Sequence, residues 1–277
     1  MRIGNLIIAV LLLSISAVAQ PTLRWVCYYS NKAPIPAFDA FDLLILDSET
    51  HPELLALSSR GKKLIGYLSV GEAESHRAYF GSVKAEGILL QENPHWKGSF
   101  FVDVRDPRWT KRIIEQLIPD ILRRGFSGVF LDTVDNAPYL ESSDPVRYKG
   151  MAASMSNLIK TIRRHFPHIE IIVNRGFEIL PQVSSDINMV LGESVFADYD
   201  FAAKKYRLVP KAEYQAYVRT LKDARKQNPR LTVLTLDYWD PADKKGVARI
   251  YREQRANGFA PYVATLALDQ IVPEPKF

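Results

Sequence analysis

Short hydrophobic runs alternate along the chain with longer segments in which hydrophobic and polar positions follow a helical period. Eight runs predict strands, at residues 23–29, 43–46, 64–70, 129–131, 169–173, 187–191, 231–236 and 261–264. Most of these runs are unbroken by polar residues, which is typical of parallel strands covered on both faces. A ninth, shorter run at residues 100–104 lies between the third and fourth predicted strands.

The segments between the runs carry the signals of helix ends. An acid followed by proline, a preferred pair at a helix start, occurs at Asp106, Asp144 and Asp240. Hydrophobic residues recur at helical spacing from Trp109 to Leu122, and Gly125 fits the end of that helix. Pro119 lies inside the same segment and predicts a kink or a break.

A strand followed by a helix, repeated about eight times, predicts an α/β fold: a single-domain (β/α)8 TIM-type barrel. An open, doubly wound sheet is the alternative. That fold often has a glycine-rich turn after its first strand, and residues 30–34 contain no glycine. No linker divides the chain, so the barrel is expected to occupy residues 20–277.

The first residues resemble a targeting segment rather than part of the fold. Arg2 precedes an apolar run at residues 6–15, and Ala17-Val18-Ala19 fits a signal-peptidase site. We therefore predict a signal peptide at residues 1–19 and a secreted or periplasmic protein with no stable membrane insertion after cleavage. An uncleaved anchor is the alternative.

Composition narrows the possible functions. The chain is 47% hydrophobic and 24% charged, as expected for a globular protein with a large core. Its formal net charge of +5 comes from scattered lysines and arginines, so no concentrated basic face indicates nucleic-acid binding. Cys27 is the single cysteine and excludes an internal disulfide.

Acidic and polar residues follow most of the predicted strands. The chemistry of a β/α barrel lies at the carboxyl ends of its strands, so these residues are expected to share one cleft. They are Asp47 after the second strand, Glu72 and Glu74 after the third, Asp132 and Asp135 after the fourth, Asn174 after the fifth, Glu193 after the sixth and Asp237 after the seventh. Buried carboxylates are costly without partners, so a ring of them favours a functional site.

Several acids beside tyrosine and tryptophan suit glycoside hydrolysis, in which one carboxylate attacks or activates water and another donates a proton. Tyr67, Tyr238 and Trp239 lie near strand ends and could stack against sugar rings. Two other hypotheses remain open. One is a barrel that binds polysaccharide without cleaving it. The other is metal-dependent phosphoryl chemistry at Asp132 and Asp135, although their Asp-x-x-Asp spacing and the absence of a phosphate-binding glycine loop argue against it.

Five motifs occur in the order seen in glycoside hydrolase family 114, which the chain resembles over nearly all of its mature length. They are YLSVGEAESHR (67–77), GVFLDTVDN (128–136), IIVNRGFEIL (171–180), INMVLGES (187–194) and TLDYWD (235–240). The family comprises endo-α-1,4-polygalactosaminidases, with a β/α barrel and a partly deacetylated galactosamine polymer as substrate. The resemblance implies the same fold and activity for this chain.

The resemblance also implies roles for individual residues. Asp132 is expected to be the nucleophile and Glu193 the general acid and then base, with retention of configuration. From the sequence alone, the distance between the fourth and sixth strands fits either a retaining or an inverting separation of the two carboxyl groups. The substrate-binding residues are expected to be Asp47, Tyr67, Glu72, Glu74, Asp135, Asn174, Asp237, Tyr238 and Trp239. No cofactor or metal is expected. The expected partner is a cationic, galactosamine-containing polysaccharide, whose ammonium groups would pair with an acidic cleft.

Overall fold

The computed structural model describes residues 23–276, and these form a barrel of eight parallel strands with helices between them. The barrel strands, numbered here first to eighth, are Trp25–Tyr28, Leu43–Leu46, Lys63–Ser69, Gly128–Asp132, Glu170–Asn174, Met189–Glu193, Thr232–Tyr238 and Ala260–Ala264. They neighbour one another in chain order, and every pair is parallel. The predicted TIM-type barrel is confirmed.

Contacts between the two ends of the sheet bring the first and eighth strands together. The indole Nε1 of Trp25 donates to the carbonyl of Ala260 at 2.9 Å, and the backbone N–H of Tyr29 donates to the carbonyl of Leu268 at 2.7 Å. The middle residues of all eight strands are almost completely buried, and apart from Thr235 they are apolar. The carboxyl ends of the strands are where polar side chains begin.

The helices surround the barrel as the sequence pattern suggested. Those of six residues or more are Phe80–Ala85, Pro107–Arg112, Ile118–Arg124, Asn136–Ser143, Met151–His165, Lys211–Gln227 and Lys244–Ala256. Shorter helices are Ile35–Phe38, Leu54–Ser58 and Leu180–Val183, and a π-helical segment, Ile113–Leu117, lies between two of the longer ones. The π-helical segment ends two residues before Pro119, which has no N–H to donate, and Gly125 ends the following helix with a φ of 113°.

Only one of the three predicted acid-proline helix starts is correct. Asp106 caps its helix by accepting from the N–H of Arg108. Asp144 instead follows the end of the helix Asn136–Ser143 and caps a turn. Asp240 also holds a turn, and Asp243 caps the next helix, because its side chain accepts from the N–H of Gly246.

Two small antiparallel sheets lie outside the barrel. The ninth hydrophobic run forms Ser99–Val102, the central strand of a three-stranded sheet with Glu72–Glu74 and Leu89–Glu92. A hairpin of Ala197–Asp200 and Lys205–Leu208 follows the sixth barrel strand, and the sequence pattern gave no sign of it. Both sheets extend from the carboxyl ends of the barrel strands, so they contribute to the cleft or its surroundings.

The predicted signal peptide, residues 1–19, lies outside the described residues. Within residues 23–276, no helix is both long enough and apolar enough to span a bilayer.

Candidate active site

The fourth, fifth and sixth strands end in three polar side chains that contact one another. Asn174 lies between the two acids, and its Nδ2 donates to Asp132 Oδ1 and to Glu193 Oε2, each at 2.7 Å. The two carboxylate oxygens are therefore at most 5.4 Å apart, which is twice 2.7 Å. We call Asp132 and Glu193 the central pair.

The residue that follows each of these three side chains has a left-handed backbone. Thr133 has a φ of 60°, Arg175 of 52° and Ser194 of 55°. This conformation is unfavourable for residues other than glycine and costs on the order of 1 kcal/mol each. The chain turns sharply after each strand at the point where the polar side chain enters the cleft. Because all three strands share this turn, it is part of how the central pair is positioned.

The turn after the fourth strand is held by its neighbour. Thr133 Oγ1 accepts from the backbone N–H of Gly71 at 2.8 Å and lies 2.8 Å from Ser69 Oγ. A Cβ on Gly71 would lie 2.2 Å from the carbonyl oxygen of Thr133, so only glycine fits there. The motif at residues 67–77 therefore supports Asp132 through backbone contact as well as contributing side chains.

Two tyrosines flank the central pair. The hydroxyl of Tyr238 donates to Glu193 Oε1 at 2.6 Å. Burial raises the pKa of Tyr238, and the charge of Glu193 raises it further. Burial likewise raises the pKa of Tyr67, and Asp132 adds to that effect. Both phenols therefore remain protonated and can donate to carboxylates throughout the physiological pH range.

The central pair includes no cation. Burial raises the pKa of Asp132 to about 7, and the negative charge of Glu193 contributes in the same direction, while the Asn174 amide opposes the shift. Two carboxylates this close titrate as a coupled pair, because ionising both at once places two like charges side by side. This is the arrangement that acid–base chemistry at two carboxylates requires.

The central pair lies in a cleft of about 430 Å³ that receives residues from every barrel strand or the loop after it. Five acids line the cleft, namely Asp47, Glu72, Glu74, Asp132 and Glu193, against two full cations, Arg77 and Lys97. Tyr29, Tyr67, Tyr238 and Trp96 supply aromatic surface. The cleft is thus acidic although the whole chain is basic.

Arg77 forms the positive centre of one wall of the cleft. Its guanidinium contacts Asp47 at 2.7 Å, Glu74 at 2.6 Å and Glu49 at 3.6 Å, and its side chain is only 6% exposed. Burial alone would raise the pKa of Asp47, but its hydrogen bond and charge interaction with Arg77 hold it below the usual range. We call these four residues the Arg77 cluster.

Glu72 reaches the cleft, but its carboxylate is occupied by protein donors. Oε1 accepts from the amides of Asn93 and Asn136, each at 2.6 Å, and Oε2 accepts from the hydroxyl of Ser99. The side chain is buried. It therefore ties together the third-strand insertion and the helix after the fourth strand, a role that the sequence did not suggest.

Asp237 and Trp239 were expected to bind substrate, but neither of them lines the cleft. Asp237 is fully buried, and it accepts from the N–H groups of Phe196 and Ala197 and from Gln254 Nε2. Successive side chains of a strand point to opposite faces, so Tyr238 enters the cleft and Asp237 points outward. Burial raises the pKa of Asp237 to about 6. Its contacts hold the segment that follows Glu193.

Trp239 donates from its indole to Asp243 at 2.9 Å and packs beside Tyr206.

Asp135 also lies outside the cleft lining and pairs with Arg175, whose Nε is 3.3 Å away. Arg175 in turn donates from Nη1 to the carbonyl of Glu193 at 2.9 Å. Asp135 is thus placed to restrain the turn after the fifth strand.

Comparison with known proteins agrees with this geometry. The sequence profile of the glycoside-hydrolase family GH114 matches residues 14–276. The chain belongs to family GH114. A GH114 chain is a glycoside hydrolase, so an acidic cleft with two adjacent carboxylates is the site expected of it.

Relatives with solved structures share the GH114 barrel. The glycoside hydrolase domain of PelA from Pseudomonas aeruginosa is 24% identical, with a TM-score of 0.79 over 91% of this chain and 98% of that one. Ega3 of Aspergillus fumigatus, solved in complex with galactosamine, is 16% identical, with a TM-score of 0.68 over 94% and 98%.

A protein of Deinococcus radiodurans with no characterised function is 30% identical over 222 residues, which is 78% of this chain and 68% of that protein.

Sequence reasoning missed several residues of the site. Arg77 and His76 lie at the end of the motif at residues 67–77, of which only Tyr67, Glu72 and Glu74 were predicted to line the cleft. Trp96 and Lys97 belong to the insertion between the third and fourth strands, and no pattern connected that insertion with the cleft. Within residues 23–276, no three histidine, cysteine, aspartate or glutamate side chains are grouped as metal ligands.

Proposed function

We propose that this GH114 chain is an endo-acting hydrolase of α-1,4-linked galactosamine and N-acetylgalactosamine polysaccharide, with the central pair as its catalytic residues. The observation that carries the proposal is the single amide of Asn174 that donates to both carboxylates. It fixes their spacing, and the pair lies inside an acidic cleft.

The spacing favours retention of configuration. Retaining glycosidases place their carboxyl groups about 5–5.5 Å apart, whereas inverting enzymes need about 6.5–9.5 Å to admit a water molecule. The nearest oxygens of Asp132 and Glu193 are at most 5.4 Å apart, again twice 2.7 Å. A water molecule between them would have too little room to attack the sugar from the opposite face.

The proposed roles follow the family resemblance. Asp132 attacks the anomeric carbon, the glycosidic C–O bond breaks, and Glu193 gives its proton to the leaving oxygen. Glu193 then takes a proton from water, the water oxygen attacks the anomeric carbon, and the bond to Asp132 breaks to restore its carboxylate. One water molecule is consumed, and both side chains return to their starting states.

The raised pKa of Asp132 adds one requirement to these roles. Without substrate, burial and the negative charge of Glu193 favour the protonated form of Asp132, because they raise its pKa. The proposed mechanism needs Asp132 ionised and a proton on Glu193 when the glycan is bound. In this proposal, substrate binding therefore favours the ionised form of Asp132. Trapping of the covalent sugar on either Asp132 or Glu193, located by peptide mass spectrometry, tests the division of roles.

The proposed substrate fits the charge of the cleft. Deacetylated galactosamine units carry ammonium groups, and five acids line the cleft against Arg77 and Lys97. Ega3, which shares the fold, was solved with galactosamine. We further propose that the chain is exported to the periplasm or the outside of the cell, where exopolysaccharide is found, because its first residues fit a signal peptide.

Digestion of defined galactosamine oligomers tests the proposal directly. Mass spectrometry is expected to show internal cleavage products, and NMR of the first-formed product is expected to show the α anomer. Asp132→Asn and Glu193→Gln are each expected to lose activity by roughly 10³-fold or more while folding normally. A β first product would exclude retention, and products of one sugar only would exclude endo action.

A barrel that only binds the glycan is the alternative. It predicts that wild type and both variants bind equally and that none of them cleaves the polymer. A metal-dependent reaction predicts that a chelator abolishes activity, whereas two-carboxylate hydrolysis is expected to be unaffected by it.

A further inference from the structure

Two exposed aromatic rings meet above one side of the cleft. Trp96 lines the cleft and is 55% exposed, and Phe201 is 60% exposed. Their ring centroids are 6.0 Å apart at an interplanar angle of 86°. Scattered exposed hydrophobic residues are normal, whereas contiguous exposed apolar surface is a feature of ligand-binding grooves.

The two rings come from different insertions. Trp96 belongs to the segment between the third and fourth barrel strands, and Phe201 joins the two strands of the hairpin after the sixth. The fourth and fifth strands, which end in Asp132 and Asn174, lie between those two insertions in the barrel. The aromatic contact therefore spans the side of the cleft on which the central pair lies.

The loop that carries Trp96 is held in place by hydrogen bonds. Asn93 donates to Glu72 at 2.6 Å, and the N–H of Gly98 donates to Glu92 at 2.6 Å. Glu72 also accepts from Asn136, which is the first residue of the helix that follows the fourth strand. A buried carboxylate is costly to keep, and here it links the Trp96 loop to the strand that carries Asp132. The backbone that carries the indole is thus held in place beside the cleft.

We infer that Trp96 is a stacking platform for one sugar ring of the bound glycan and that Phe201 supports it from the edge; this rests on the proposed function. Galacto-configured sugars expose C–H bonds of C3, C4 and C5 on one face. An aromatic ring buries that apolar face, while the nearby acids receive the polar groups. The ligand is therefore a galactosamine ring of the glycan, bound in the same cleft as the central pair.

Tryptophan fluorescence offers a direct test in a non-cleaving background, Glu193→Gln. Trp25 and Trp109 are buried, and Trp239 is hydrogen-bonded to Asp243 outside the cleft. A ligand in the cleft is therefore expected to change mainly the emission of Trp96. Adding deacetylated galactosamine oligomers is expected to shift the emission to shorter wavelength. The double variant Glu193→Gln/Trp96→Ala is expected to lose that shift and to bind about tenfold more weakly by calorimetry.

Two further variants sharpen the result. Trp96→Phe is expected to keep most of the affinity, and Phe201→Ala is expected to weaken binding by a few-fold only. Tyr139→Ala is the matched control, because Tyr139 is 60% exposed and does not line the cleft, so binding is expected to stay within twofold. Circular dichroism verifies that each variant is folded.

The outcomes separate this inference from the proposed function. If wild type cleaves the oligomers and Trp96→Ala binds as well as its parent, stacking on Trp96 is wrong and the hydrolase proposal stands. If wild type neither cleaves nor binds galactosamine oligomers, the proposed function fails and the inference fails with it.

Discussion

Two groups of carboxylates lie in or beside the cleft, and the charges around them differ. The Arg77 cluster places three acids around one buried guanidinium. The central pair places two acids around a neutral amide, with Tyr238 donating to one of them. Correspondingly, the pKa of Asp47 is held low, whereas burial raises that of Asp132 to about 7.

The difference separates a carboxylate that holds structure from one that can do chemistry. A buried acid paired with arginine stays ionised, so it can neither donate nor accept a proton near neutral pH. A buried acid beside another acid shares a proton with it and can exchange that proton with a substrate. The number of acids in the cleft does not distinguish the Arg77 cluster from the central pair. The position of Arg77 does, because its charge stabilises the ionised form of the acids that it contacts.

The largest effect is expected from removing the cation of the Arg77 cluster. Arg77→Met leaves three acids without their partner and is expected to lower the free energy of unfolding by about 3–5 kcal/mol. Urea denaturation measures it. Arg60→Met is the control, since its pair with Asp39 is exposed and is expected to contribute about 0–1 kcal/mol. Equal losses in the two variants would contradict a structural role for the Arg77 cluster.

Asn174→Ala is expected to have the next largest effect and to act on the central pair alone. Loss of the bridging donor is expected to lower kcat/KM by roughly 10–100-fold. The amide lowers the pKa of Asp132, so its removal is expected to move the acidic limb of the pH profile to higher pH.

The control for that experiment is Asn136→Ala, which removes an amide from Glu72 instead of from the central pair. Its pH profile is expected to keep its position. A drop in activity of Asn174→Ala without any movement of the acidic limb would mean that the amide only supports the fold.

The smallest effect concerns stability and has opposite signs in the two groups. The folded protein raises the pKa of Asp132 to about 7, so it binds this proton more readily than the unfolded chain does, and stability falls as pH rises from about 4 to 7. Asp132→Asn is therefore expected to stabilise the protein by about 1–2 kcal/mol above pH 7, and by little near pH 4.

Asp47→Asn is expected to do the reverse. The pKa of Asp47 is lowered in the folded state, so its ionised form contributes stability above the unfolded pKa, which is lost as pH falls. Thermal melts of both variants and wild type at pH 4 and pH 8 measure the two signs. An Asp132→Asn protein that is less stable than wild type at pH 8 would contradict the electrostatic account of the central pair.

The strands were predictable because each is a nearly unbroken hydrophobic run. The predicted and observed positions of the second strand coincide, and the others differ by a few residues at their ends. Helix starts were less predictable, because an acid before proline caps a turn as well as a helix, as Asp144 and Asp240 do. The hairpin at residues 197–208 was not predicted, because its strands are short and largely polar.

The sequence by itself determined the order of strands and helices, the family, and the placing of polar residues at the carboxyl ends of the strands. It could do so because burial imposes a periodic pattern on each element, and parallel strands bring their ends to one side. Tertiary structure decided which acids matter for the cleft. It turned Asp237 outward, surrounded Arg77 with three acids and joined Asp132 to Glu193 through Asn174. Those relations depend on contacts between residues far apart in the chain, which no local pattern records.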